Sequence, residues 1–521
     1  MSINHNKNKL STFHLTLLST GGMIGAGWLF SPFYGFQTAG TGVIFSWLIT
    51  IAITLVIALS FAEVSSLLPI VGGVSRFVSL THNRTITFIF MGLSWISYVV
   101  YLPLESQSAI QYIGFFYHPL VVSHGDTVQL SMLGLIFAMF IIIGLTYFNC
   151  FVITKVAKTN SVVSIWKLII PISIAIGFII YFGKWENVVS NYNNTPLSME
   201  HILIAVTSSG LAFAFSGFQN GIILANSTAN PKKALPYSLF MPIILGGLIY
   251  ISLSLAFIFC VPNSHSIANN AVAPLLGLVA LSGLHAIYLI LFIDAIIAPL
   301  GTANVFTAIT GRVLLAFGRE FLPNTILTRI NKNSAPVIAL WISGLVGICF
   351  LLPFPTWKQL VDFLSSVTVF AYLAGPITLI ILHQDFPHLP RNFKTMGTTT
   401  LGYLGFVCCS LLIYWSEYTN LKLLSILLII ITVLYAFANK NKSVVKAMKE
   451  SSVVLLYVFL LTSISYLRTT NQIAFPYDNF CVAIIAIIFC HLLVKNKLSK
   501  VEIEKNLATI NLEIKHEQEI E

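Results

Sequence analysis

The sequence predicts an all-α integral membrane protein with fourteen transmembrane helices and both termini on the cytoplasmic side. Three observations predict it. First, 56% of the 521 residues are hydrophobic and only 9% are charged, against roughly 25% charged in an average soluble domain. Mean hydropathy is +0.87. That leaves too little polar surface to wrap a water-soluble fold, and it excludes disorder, which needs low hydrophobicity and high charge. Second, apolar runs long enough to cross a bilayer recur along the whole chain. Third, cationic residues fall between those runs in alternation. The excess of 28 Lys and Arg over 18 Asp and Glu would raise nucleic-acid binding in a soluble protein. Here it reads as loop charge that sets orientation, so the partner implied is the lipid bilayer and not nucleic acid.

A bilayer core of about 30 Å takes about 20 residues of helix. Fourteen runs meet that need, near 13–39, 42–68, 86–117, 128–149, 160–182, 202–226, 236–261, 281–311, 336–354, 359–382, 398–416, 421–438, 453–468 and 479–494. Barrel strands would show as ~10-residue alternating segments. Lipid offers no hydrogen bonds, so each run satisfies its own backbone as a helix. With the N-terminus inside, the cytoplasmic segments hold 23 of the 28 Lys and Arg. The external segments hold Lys184, Lys358, Lys422 and Arg468, and the one that remains, Lys167, lies well inside a span. A wrong span count would scramble this alternation. The chain then divides into a cytoplasmic tail (1–12), helices one to five (13–182), helices six to ten (202–382), helices eleven to fourteen (398–494) and a cytoplasmic C-terminal tail (495–521).

Several chemistries have no motif behind them. The seven cysteines lie in or beside apolar runs, and no CxxC occurs, so neither a disulfide framework nor a zinc site is supported. The histidines are scattered, with no HxxxH or HExxH spacing. No GxGxxG, Walker A or GxSxG motif is present, so no cofactor or serine nucleophile is expected. The first apolar run lacks the form of a cleavable signal peptide.

Two spans are poor helices. Span one reads Ser19-Thr20-Gly21-Gly22-Met23-Ile24-Gly25-Ala26-Gly27-Trp28, with four glycines in seven residues, each costing about 1 kcal/mol relative to Ala. Span six reads Thr207-Ser208-Ser209-Gly210, then Phe213-Ala214-Phe215-Ser216-Gly217-Phe218-Gln219-Asn220-Gly221. The two are five spans apart. Five is odd, so the second set of five enters the membrane from the opposite face, which predicts an inverted five-plus-five repeat with helices one and six broken. An unwound stretch frees N–H and C=O groups at mid-membrane. The half-helix beyond it carries partial positive charge at its N-terminus and can hold a carboxylate, while freed carbonyls accept from an ammonium. Such a pair of breaks suits a zwitterion, an α-amino acid. The alternative is close helix packing alone, since Gly21 and Gly25 also fit a GxxxG spacing.

The run GGMIGAGW resembles the first-helix motif of the amino acid–polyamine–organocation (APC) superfamily. Ala62-Glu63-Val64 with Pro69 and Gly72-Gly73 follows in family order, then Asn230-Pro231-Lys232-Lys233 with Pro236, then Asn304, Gly311-Arg312, Arg319 and Pro323. The similarity covers roughly 13–494 and is greatest to fourteen-helix bacterial permeases that include an aspartate–proton symporter. It implies a leucine-transporter-like fold with four extra C-terminal helices, in the bacterial cytoplasmic (inner) membrane. It implies that amides of Gly25, Ala26 and Gly27 hold a substrate carboxylate. Carbonyls near Met23 and Ile24, and those of Phe213, Ala214 and Ser216, would take the α-amino group. Phe213 matches the family's stacking gate aromatic, and many relatives carry an acid where Gln219 stands.

Four ionisable residues lie well inside spans: Glu63, Glu105, Lys167 and Asp294. Such charges are expensive and mark function by default. Lys167 stands eight residues into span five, so its Cα lies about 12 Å deep. It either snorkels back to the headgroups or stands where sodium-coupled relatives bind their ion, between spans one, five and eight. The resemblance supports the second position, with Thr302 as a nearby hydroxyl. An amine at such a depth can load and release a proton in each cycle. Glu105 and Asp294 either pair, relay protons, contact substrate or make structural hydrogen bonds. Glu63 reads as a salt-bridge partner near the cytoplasmic gate, before a loop holding Arg76 and Arg84.

The expected activity is import of an amino acid by proton symport and alternating access, with the proton as coupling ion and no cofactor. The alternative is an exchanger of the same fold. A polytopic enzyme is the remote third reading, since no loop holds a catalytic acid pair or metal cluster. No Arg lies in the core of spans one, three, six, eight or ten, which favours a neutral amino acid over an acidic one. The resemblance implies that helices eleven to fourteen serve homodimer contacts or lipid packing. In the tail, Ile503, Leu507, Ile510 and Ile514 recur at helical spacing, which predicts a short amphipathic helix, free or plugging the inner mouth.

Overall fold

The computed structural model describes residues 11–67, 72–124, 127–151, 153–223, 231–262, 272–282, 285–439 and 442–520. Among the described residues, each of the fourteen apolar runs contains helix. In chain order the helices are α1 (Thr12–Met23), α2 (Gly27–Ala39), α3 (Val43–Leu67), α4 (Arg84–Gly114), α5 (Met132–Asn149), α6 (Ile153–Phe182), α7 (Trp185–Asn194), α8 (Met199–Ser208), α9 (Leu211–Ala214), α10 (Asn220–Ile223) and α11 (Pro231–Cys260). Then come α12 (Pro274–Ser282), α13 (His285–Phe321), α14 (Val337–Cys349), α15 (Trp357–Tyr372), α16 (Ala374–Asp385), α17 (Thr398–Tyr414), α18 (Glu417–Ala438), α19 (Val444–Glu450), α20 (Ser452–Thr469), α21 (Tyr477–Lys495) and α22 (Lys500–Ile520). Among the described residues, ten helical segments are long and apolar enough to cross a membrane, and three apolar ones are shorter.

Local chemistry sets several starts. Side-chain oxygens of Asn83, Ser131, Ser198 and Thr356 accept from backbone N–H groups in the first turns of α4, α5, α8 and α15, as N-caps do. A hairpin of two strands, Val121–His124 against Thr127–Leu130, joins α4 to α5 where sequence periodicity had indicated nothing but loop and helix. Of the family motifs, Pro69 and Asn230 lie outside the described residues; Pro231, Lys232 and Lys233 open α11.

The interior is built around α4, which packs along α13, while α1 is held by α6, α11 and α13. The helices that follow α16 form a flank, with α17 on α3 and α16, and α18, α20 and α21 packed among themselves. At one end of the molecule Glu63 departs from the expected partners. Its carboxylate takes Arg391 at 2.8 Å and the Thr395 N–H at 2.9 Å, because the 386–397 loop, not the loop of Arg76 and Arg84, crosses the end of α3. Arg76 faces Glu320 at 3.7 Å instead. The tail is helical over Lys500–Ile520 and buries Ile503, Leu507 and Ile510. Asn506 Nδ2 lies within 3.4 Å of the Ser79 and Leu80 carbonyls, which anchors α22 on the 73–80 segment.

Candidate functional site

Both glycine-rich spans are interrupted. α1 ends at Met23, Ile24 leaves helical geometry (φ −83°, ψ 83°), and α2 begins at Gly27. The other span stops at Ser208, turns through Gly210 (φ 75°), and continues, among the described residues, as the four-residue α9 and α10 with turns between them. The glycines are needed for approach as much as for freedom. A Cβ on Gly25 would stand 2.3 Å from Glu105 Oε1, and one on Gly27 3.0 Å from the Ala214 Cα. Gly217 combines both demands: its φ is +114°, and a Cβ there would sit 3.0 Å from the Gly22 carbonyl and the Met23 Cα. The two breaks thus touch main chain to main chain. The Gly221 N–H donates to Ser19 Oγ at 2.9 Å and ties them a second time.

The deep charges gather at the first break. Lys167, buried on α6, donates from Nζ to the Gly21 carbonyl at 2.9 Å and to Thr302 Oγ1 at 2.8 Å. The Thr302 hydroxyl in turn lies 3.0 Å from the Gly21 carbonyl and 3.1 Å from that of Ile24. α1, α6 and α13 are therefore joined through one ammonium and one hydroxyl, and the ammonium does not snorkel. Glu105, on α4, accepts the Ala26 N–H at 2.8 Å. Asp294, on α13, accepts from Trp166 Nε1 at 2.9 Å, and its second oxygen has no partner among the described residues. Glu105 and Asp294 have separate partners and do not pair with each other.

The main-chain groups assigned by resemblance to a ligand are largely engaged within the protein. The Met23 carbonyl accepts from the Gly25 N–H at 3.0 Å and that of Phe213 from the Ser216 N–H at 2.8 Å. The Ala214 carbonyl accepts from the Tyr250 hydroxyl at 2.7 Å. Buried polar groups are rarely left unpaired, so a closed site satisfies itself. Aromatic rings seal it. Phe213 stacks on Tyr101 and meets Trp357 edge-on, with ring centroids 5.6 and 5.9 Å apart. Phe218, Phe61 and Tyr372 form a second layer. A cavity of about 460 Å³ beside His383 and Lys394–Thr400 adjoins the Glu63–Arg391 pair and not the breaks.

Sequence reasoning passed over three residues here, Tyr98, Tyr101 and Tyr372. Tyr98 and Tyr101 share one face of α4 with Glu105, at helical spacing of three and four. That spacing was visible, but nothing in it distinguished a site from core packing. The hydroxyls of Tyr101 and Tyr372 converge on Ser216, and neither forms a well-aligned hydrogen bond. Gln219 Oε1 accepts the Gly217 N–H at 2.9 Å, and its Nε2 donates to the Tyr98 hydroxyl at 3.3 Å. Beside the breaks lies a neutral cluster of donors and acceptors. Among the described residues, no group of three His, Cys, Asp or Glu side chains could hold a metal ion.

A multi-pass helical chain with two interrupted helices meeting around buried charges has the architecture of a membrane transporter. The chain matches a crystal structure of a mutant manganese transporter of Eremococcus coleocola with a TM-score of 0.55, covering 92% of this chain and 94% of that one. At 13% identity this is a likeness of fold alone. The protein itself belongs to the amino acid permease family, whose sequence profile matches residues 10–434. It is 28% identical to the glutamate/serine transporter AimA of Bacillus subtilis, over 94% of this chain and 93% of that one. It is 27% identical to the aspartate-proton symporter of the same organism, over 92% and 94%, and 24% identical to its branched-chain amino acid permease BcaP, over 84% and 94%.

Proposed function

We propose that this permease imports a small polar or neutral α-amino acid with a proton, by alternating access across a bacterial cytoplasmic membrane. The observation that carries the reading is the Lys167 ammonium bonded to the Gly21 carbonyl at the first break and to Thr302 on α13. A cation held there links the broken helix to two neighbours. Loss or gain of its proton changes that link, which is what an ion-coupled carrier needs. The substrate lies between the breaks, carboxylate toward Gly25, Ala26 and Gly27, ammonium toward Met23, Ile24, Phe213, Ala214 and Ser216. Its side chain meets the phenols of Tyr101 and Tyr372. Phenols and Gln219 read a hydroxyl or amide well and leave an ionised carboxylate without a counter-charge, so a neutral side chain is preferred. α1, α2, α3 and α8 to α11 rock against the remaining core helices, and the five-plus-five inverted repeat provides the two access states.

Purified protein in vesicles tests this. An inward pH gradient should drive accumulation of L-serine against its own gradient in the wild type. Lys167→Ala and Lys167→Met should lower gradient-driven uptake at least about tenfold. Wild-type proton dependence in both variants would reject Lys167 as the coupling site. Strict dependence of uptake on internal amino acid would replace import by exchange.

A further inference from the structure

The Ala26 N–H, one of the groups offered to a substrate carboxylate in the reading above, already holds a carboxylate. It belongs to Glu105, whose Oε2 accepts that N–H at 2.8 Å while its Oε1 lies against Gly25. Ala26 is the residue from which the thirteen-residue α2 starts, so Glu105 sits where the partial positive charge of a helix end is concentrated. A second observation marks the same spot as built for a ligand. The Tyr101 hydroxyl, one turn along α4 from Glu105, is buried, stands near both Glu105 and Ser216, and makes no well-aligned hydrogen bond among the described residues. A buried phenol without a partner is uncommon in a finished site.

We propose that Glu105 is a resident competitor for the substrate carboxylate and that its protonation is what admits the substrate. In the empty carrier the ionised Glu105 caps α2. Uptake of one proton on a Glu105 oxygen turns an anion into a neutral acid, which grips the helix end less well. The Ala26 N–H then passes from Glu105 to the incoming carboxylate. On release, the substrate leaves, Glu105 gives its proton to the receiving compartment and the N–H returns to it. One carboxylate replaces another, so the charge at the helix end stays constant, and the proton on Glu105, separate from the one Lys167 exchanges, is taken up and given back as the substrate binds and leaves.

The surroundings fit this exchange. The ionisable groups facing Glu105 are Lys167 from α6, Tyr101 from its own helix and Tyr250 from α11. From α13, Asp294 faces Lys167 and Thr302 packs on Gly25 beside the carboxylate. α2 carries no charged residue, and α1 only His14 at its far end. The inference rests on the amino-acid reading of the site. It adds that substrate and deprotonated Glu105 are mutually exclusive.

The experiment is equilibrium binding of L-serine to the full-length protein between pH 5.5 and 8, where L-serine itself scarcely titrates. Wild-type affinity should weaken with rising pH, by up to about tenfold per unit once Glu105 ionises. Glu105→Gln should bind with an affinity flat within about twofold and tighter than wild type at pH 8. A wild-type slope that persists in Glu105→Gln overturns the proposal. Should that variant not fold, calorimetry of the wild type in two buffers of different ionisation heat decides. Net proton uptake on binding is expected, and none at any pH overturns the proposal. Failure of all twenty amino acids to bind overturns the transport reading and this proposal together, whereas pH-independent binding overturns this one alone.

Discussion

Gly217 holds a positive φ with the backbone of Gly22 and Met23 where a side chain would go. Gly217→Ala should therefore cost about 2–4 kcal/mol from strain and overlap together, read as a lowered unfolding midpoint in detergent without substrate. Gly25→Ala differs, because the opposing atoms are ends of the Glu105 and Thr302 side chains and can give way. Its fold should survive while L-serine binding falls more than tenfold. Thr302→Val removes the hydroxyl between Lys167 and two carbonyls. It should destabilise by about 1–3 kcal/mol, again visible as a thermal shift. The glycines and Lys167 were legible as singular residues in apolar runs. The role of Glu105 was not, since its bond to Ala26 spans 79 residues of sequence and exists only once α4 lies against the break. The Tyr98–Tyr101–Glu105 stripe was visible but unranked, because aromatic stripes at that spacing also build ordinary cores.

At the scale of elements, the tail helix could be foreseen from Ile503, Leu507 and Ile510, but its docking surface could not. That surface needs the 73–80 segment, the carbonyls of Ser79 and Leu80, and the Leu498 N–H on the Thr81 carbonyl at 2.8 Å. Leu507→Asp should free α22 and raise trypsin cleavage at Lys500 and Lys505 severalfold. His82, in the loop before α4, adds a pH dependence. Its Nε2 bonds the Leu493 carbonyl at 3.0 Å, yet burial pushes its pKa from the ordinary 6.5 down to about 4. The released loop binds a proton between those values and the docked loop does not. Docking should be complete above about pH 6.5 and weaken as pH falls toward 4. Protease protection of the tail should follow that course, and His82→Gln should flatten it. Glu63 shows the same limit on reading: its burial was foreseeable, but its partner, Arg391, arrives from a loop 328 residues away.

For the molecule as a whole, the expected placing of 23 cationic residues on one side and Lys184, Lys358, Lys422 and Arg468 on the other predicts an orientation. A cysteine replacing Asn193 should react with a membrane-impermeant maleimide on intact cells, and one replacing Lys332 only after the membrane is opened. The reverse result would invert the topology. Span positions were readable because each helix must satisfy lipid alone; how the helices pack was not, because that depends on which small residues meet. The meeting of Gly22, Met23 and Gly217 is the plainest instance, for its partners are peptide units and not side chains. Side chains around that joint can be exchanged over evolutionary time without disturbing it. A lineage can adopt new cargo while keeping its machinery, in keeping with relatives named for glutamate, serine, aspartate and branched-chain residues that share about a quarter of their sequence with this chain.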